Sequence, residues 1–227
     1  GSKSEIPYDF WQKLKNTGVV HVVVASGTNV SLTAMFLISV LTVFLSRKKA
    51  IIFAFLGIWL YVVLSGFEAP LIRAGIMASF AFWAQGVGRL SYSSRVLLLT
   101  CLIMLIFNPL WLFDIGFILS FAATASLMLF QVRIANYLKI VPNFLKEGLS
   151  TSIAAQIGVA PILFGSFGQF NILSPLINML VLWTVPGIMI LGAVGGILGL
   201  IFPFLGKLIL YLSYPLTWWF INRVSIF

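Results

Sequence analysis

Residues 19–45 read VVHVVVASGTNVSLTAMFLISVLTVFL, a run without a single acidic, lysine or arginine side chain. An apolar stretch of more than about 18 residues is the signature of a helix that crosses a bilayer. This one is too long for one plain span, and its middle, Ser26-Gly27-Thr28-Asn29, is polar and holds a glycine. A broken or kinked first span is therefore expected. Non-helical backbone at membrane depth is tolerated only where protein buries it or water lines it. The break thus predicts either an internal aqueous feature or a capped kink packed on a neighbouring helix.

The rest of the chain has the same character. Of its 227 residues, 61% are hydrophobic and 8% charged, and the mean hydropathy is +1.10. A soluble domain carries about 25% charged residues, so a soluble enzyme, a disulfide-stapled secreted domain and a disordered tail are all excluded. At about 20 residues per helical span plus short loops, the length allows roughly eight membrane segments. The expected fold class is all-α, a polytopic transmembrane helical bundle. Further spans are expected at 50–64, 70–86, 96–107, 114–130, 149–164 and 205–220. Residues 172–202 hold two apolar runs split by Pro186 and glycines, either one kinked span or a re-entrant pair. Pro70 suits the first turn of a helix, Asp114 suits an N-cap, and Trp218 and Trp219 suit interface anchors.

The net charge of +9 is carried by 14 Lys and Arg against 5 Asp and Glu. Arg47, Lys48 and Lys49 follow the first span, Arg89 and Arg95 the third, and Arg133, Lys139 and Lys146 the fifth. Lys and Arg are retained preferentially on the cytoplasmic side, so these loops are expected there, with the N-terminus outside. Residues 1–18 read as an interfacial lead-in, with Tyr8, Phe10 and Trp11 beside Lys13 and Lys15. Gly1-Ser2 reads as a cloning remnant, and 19–227 as one transmembrane domain excised from a longer protein.

Polar groups inside spans are costly unless partnered, which makes them functional candidates. Arg73 is foremost, because a guanidinium cannot shed its charge. It must snorkel to the headgroups, meet a carboxylate (Glu68 is the nearest in sequence) or face water. Ser26, Gly27 and Asn29 belong to the break. His21, near the outer end of the first span, suits either a proton relay or a helix-end imidazole bonded to a carbonyl. Asn108, Gln156 and Asn178 could line a polar path or bond between helices. Asp114 is explained equally well by capping. Gly192, Gly195, Gly196 and Gly199 form overlapping small-xxx-small pairs that let helix backbones approach closely. The 21 phenylalanines could stack bases in a pore, but mostly suit lipid and helix interfaces.

Other chemistry is missing. One cysteine, Cys101, allows no intramolecular disulfide, and one histidine cannot build a metal site from several imidazoles. Gly206-Lys207 lacks the glycine spacing and following Ser/Thr of a phosphate loop, and Ser26 does not sit in G-x-S-x-G. No catalytic residue, metal or cofactor is expected, and the chain does not read as an enzyme.

From Gly18 the sequence GVVHVVVASGTNVSL resembles the GLxHLLAISGLHVGL signature of the ComEC family of competence proteins. Arg73-Ala74 is similar to that family's R-A pair at the start of a span. Asn108-Pro109 with Asp114-Ile115-Gly116-Phe117-Ile118-Leu119-Ser120-Phe121 is similar to its NP…D-x-GFQLSF segment, and Pro161, Phe164, Ser174, Pro175, Asn178 and Pro186 to its P…F…SP…N…P pattern. The likeness covers about residues 14–200 in the family's order. Asn29 stands where the family often has histidine, and Ile118 where it often has glutamine. The resemblance implies a channel in the bacterial cytoplasmic membrane that passes one strand of external DNA during natural transformation. It further implies an OB-fold domain and a metallo-β-lactamase-like domain in the full-length protein, and a cytoplasmic DEAD-type ATPase as partner. Two alternatives stand beside it: a secondary transporter of a small anionic solute, and a non-conducting membrane scaffold.

Overall fold

The computed structural model describes residues 7–20, 26–88, 92–139, 141–167 and 174–226. Among them every regular element is helical. A short helix, α1 (Tyr8–Thr17), is followed by α2 (Gly27–Phe44), α3 (Arg47–Leu64), α4 (Ala69–Val87) and α5 (Ser93–Phe107). A 3-10 turn (Pro109–Phe113) leads into α6 (Ile115–Tyr137) and α7 (Asn143–Phe167). The short α8 (Ser174–Val181) precedes α9 (Thr184–Ile201) and α10 (Pro203–Ile226). Five segments are long and apolar enough to cross a membrane: Gly27–Phe44, Ile115–Tyr137, Leu145–Ser166, Thr184–Ile201 and Pro203–Ser225. The fold class is that of a helical membrane protein. The chain divides into a terminal unit (Gly1–Val23, Ile134–Ile153, Gly168–Phe227) and a middle unit (Val24–Arg133, Ala154–Phe167).

In the middle unit, α2, α3 and α4 pack through Val30, Ala34, Ala54, Ile58, Val62, Leu71 and Ile72, joined by Met104 of α5 and Phe117 of α6. Small residues set the spacing. Ala50 and Ala54 are fully buried on α3, and a methyl on Gly75 of α4 would lie 3.3 Å from Val62. Lipid is as apolar as leucine, so such contacts hold helices together by close packing rather than by exclusion of water. Ser126 on α6 donates to the Ala154 carbonyl of α7 at 2.6 Å, and beside it a side chain on Gly158 would strike the Ala122 carbonyl.

In the terminal unit the lead-in helix is held by packing. Leu14 and Val19 are fully buried with Ile177, Val181, Phe220 and Val224 of α8 and α10. Gly18 ends α1 in the left-handed conformation (φ 71°), which glycine adopts at no cost, and the Ser174 hydroxyl lies where its side chain would be. The hairpin of α9 and α10 closes where Gly206 meets Gly199 and the Gly195 carbonyl so closely that no Cβ would fit.

Several boundaries differ from the sequence expectation. At the expected break, Ser26-Gly27-Thr28-Asn29, a helix begins. Ser26 is extended (φ −126°, ψ 166°) and α2 starts at Gly27; residues 21–25 lie outside the described residues. The second apolar helix begins three residues earlier than expected, at Arg47, because exposed basic side chains are compatible with a helical turn outside the hydrocarbon. The sixth runs from Asn143 through Pro161 to Phe167. The 172–202 region breaks at Leu182-Trp183 rather than at Pro186. Pro186 is the third residue of α9, where the N–H has no intrahelical partner to lose. Trp219 is not a free interface anchor: its indole donates to the Leu180 carbonyl at 3.0 Å, and Arg223 lies 4.2 Å from its ring centroid.

Candidate functional site

The middle unit brings three distant stretches of sequence to one place. Arg73 is the fifth residue of α4, nine-tenths buried at 9% relative exposure. Its side chain is enclosed by protein. Its Nη1 donates to the Ser120 carbonyl of α6 at 3.0 Å, and its Cζ lies 6.0 Å from the Phe121 ring centroid. Its Nη2 sits against the start of α2, where a Cβ added to Gly27 would be only 2.7 Å away. A side chain at Gly27 would displace the guanidinium from this position.

Around this contact the polar atoms are incompletely matched. The Ser120 carbonyl also accepts from Thr124 Oγ1 at 2.9 Å. Arg73 Nε and Ser120 Oγ are buried without a hydrogen-bond partner. Ser26 Oγ reaches Asn29 Oδ1 at 3.4 Å, a long bond closing the first turn of α2 on itself. No side chain caps that helix, and its first turn carries no acidic residue.

The other sequence candidates fall elsewhere. Asn108 accepts from the Leu110 N–H at 3.1 Å, capping the 3-10 turn. Asp114 accepts from the Phe117 N–H at 2.7 Å, capping α6. Gln156 is half-buried on α7 in the middle unit. Asn178 belongs to the terminal unit, buried at 4% exposure with its Oδ1 unpartnered. His21 lies outside the described residues. The structure therefore joins Gly27 to Arg73 and leaves Ser26 and Asn29 bonded to each other in the same helical turn as Gly27. It adds Ser120 and Phe121, which sequence reasoning quoted as a motif but did not select. The available signal was their position on the face of α6 set by Asp114 and Phe117, one and two turns along.

A helical membrane domain with a buried arginine among three helix starts is what the chain presents. The family model described as Competence protein matches residues 1–227, and the chain belongs to that family. Among curated proteins it is similar to ComE operon protein 3 of Bacillus subtilis (strain 168), 35% identical over 189 residues. That match covers 83% of this chain and 24% of the relative, so the chain spans about a quarter of the relative's length. No solved structure matches the chain significantly.

Proposed function

We propose that this domain forms part of an inner-membrane conduit that passes single-stranded DNA into the cytoplasm during natural transformation. One observation carries the reading. The first, second and third family-like motifs, 45 or more residues apart from one to the next, supply Gly27, Arg73 and Ser120, and these residues meet. Separate motifs that converge on a buried charge mark a shared task, since an intramembrane ionisable group is costly to keep. The family and the Bacillus subtilis relative support competence as the setting.

The physical demands fit. A single strand carries one negative charge per nucleotide, and a hydrocarbon interior cannot accept it unpaired. A conduit must offer water, positive potential and weak contacts that release as readily as they bind. Arg47, Lys48, Lys49 and Arg95 are exposed at helix ends in the middle unit, in the first turns of α3 and α5. Placed in the cytoplasm by the positive-inside bias, they put the start of α2 and Arg73 toward the outside, where a strand enters. OB-fold and metallo-β-lactamase-like domains of the full-length protein would then deliver the strand, and a cytoplasmic DEAD-type ATPase would draw it in.

The test is import of labelled DNA scored as nuclease-protected cytoplasmic material. Arg73→Ala is expected to abolish most of the protected fraction while surface capture and membrane abundance stay normal. Unchanged import at normal abundance removes Arg73 from the mechanism. Ion-gradient-driven uptake of a small anion into vesicles would turn the reading toward a solute transporter.

A further inference from the structure

We infer that the start of α2 and the Arg73 guanidinium together bind one phosphodiester group of a single nucleic-acid strand. The inference deepens the conduit reading, on which it rests for the origin of the phosphate. Its basis is an electrostatic mismatch. A helix N-terminus carries about half a positive charge and favours anions. At the head of α6 Asp114 obeys this rule by accepting from the Phe117 N–H, and Glu68 stands at the N-cap position of α4 without a cap bond from its side chain. At α2 the first turn has no acidic residue and no side-chain cap, and the Arg73 Nη2 cation lies against it. Two positive ends this close repel unless an anion lies between or beside them.

A second observation, independent of the helix end, points the same way. Arg73 is nine-tenths buried and aimed at Gly27, yet Nε has no partner, and neither does the neighbouring Ser120 Oγ. A buried guanidinium with an unused edge is a costly arrangement that a ligand oxygen would relieve. The donors available are of the kind that bind tetrahedral oxyanions: the N–H groups of Gly27 and Thr28 at the first helical turn and a planar fork suited to phosphate. Those of Asn29 and Val30 donate to the Ser26 carbonyl. Gly27 is the positioning residue, because only its missing side chain lets Nη2 lie against the helix start. One residue on, exposed Thr28 marks the side from which a phosphate can approach. A lipid headgroup is the less fitting source, since Arg73 is enclosed by α2, α4 and α6 rather than by the lipid-facing surface.

The experiment uses the 227-residue chain in phosphatidylcholine nanodiscs and a fluorescent single-stranded oligo-dT, titrated across salt concentrations. Each phosphate neutralised on a single strand contributes about 0.7 to the slope of log affinity against log salt. Arg73→Gln is expected to weaken binding about tenfold, the loss of one charge-assisted bond, and to lower the slope by about 0.7. Inorganic phosphate should compete with the oligonucleotide on the unaltered chain and much less on the variant. Gly27→Ala should weaken binding, whereas Gly86→Ala, where the added methyl meets nothing within 4 Å, should not. An unchanged slope in Arg73→Gln overturns the inference. So does phosphatidylglycerol in the nanodisc abolishing the Arg73-dependent component while phosphate has no effect, because the site then belongs to lipid. If Arg73→Gln fails to fold, the phosphate competition and Gly27→Ala still decide. Lost import in Arg73→Ala cells with unaltered oligonucleotide binding would sink the phosphate site alone. Lost binding with normal import would instead sink the conduit reading.

Discussion

The two units treat buried polar atoms differently. In the terminal unit most are closed by a nearby carbonyl. Thr17 donates to Lys13 and Leu14, Ser174 to Thr17, and Thr184 to Val181, while the indoles of Trp183 and Trp219 share the Leu180 carbonyl. In the middle unit a permanent charge is buried with one carbonyl at Nη1 and an unmatched Nε. The terminal unit has two unmatched atoms of its own, Asn178 Oδ1 and Arg223 Nε. The first is neutral and far cheaper to bury than a cation, and the second belongs to a half-buried side chain whose guanidinium lies 4.2 Å from the Trp219 ring centroid. The difference separates polar groups that secure packing from one that packing alone does not explain.

Substitutions can break or sharpen this contrast. The largest effect on stability is expected in the terminal unit. Gly206→Val would drive a branched side chain into the backbone of Gly199 and the Gly195 carbonyl, which cannot yield as a flexible side chain would. Overpacking of this kind costs about 3 kcal/mol, measured as a shift in unfolding by denaturing detergent. A much smaller loss would mean that the α9–α10 hairpin can re-space itself. Next comes Ser126→Ala, which removes the bond to Ala154 in the middle unit. Interhelical bonds of this type contribute about 0.6 kcal/mol in membranes, so a change above roughly 2 kcal/mol would show that the bond organises more than its own pair. The smallest change is expected at Arg73. Arg73→Met keeps the length of the side chain and strands no acceptor, since Thr124 still serves the Ser120 carbonyl. Replacing a buried charge by an apolar group of similar volume is often neutral or stabilising, so stability should stay within about 1 kcal/mol while DNA import falls. Severe destabilisation would make Arg73 a structural residue and erase the contrast.

Much of the architecture was legible because it depends on local properties of the chain. Apolar runs of helical length, Pro70 in a first turn, Asp114 as a cap and the basic ends after α2 and before α5 all follow from hydropathy and end chemistry within a few residues. The split in the 172–202 region was misplaced for an equally local reason. Proline breaks a helix only where an N–H is needed, and Pro186 lies too near the start of α9 to be needed. Trp219 read as an interface anchor because an aromatic pair at a span end fits that role, and nothing nearby in sequence reveals the Leu180 carbonyl.

The site was legible only in part. Composition and pattern established by themselves that the chain is a helical membrane protein, that a helix boundary lies at Ser26-Gly27-Thr28-Asn29 and that Arg73 needs a partner. Tertiary structure decided what that partner is. The sequence pointed toward Glu68, five residues away, whereas the guanidinium of Arg73 donates to the Ser120 carbonyl, 47 residues away. Hydropathy is a property of each segment and can be summed along the chain. The partner of a buried charge depends on which helix faces are brought together, and that is settled by side-chain packing between segments, with Gly27 clearing the space in which the guanidinium lies.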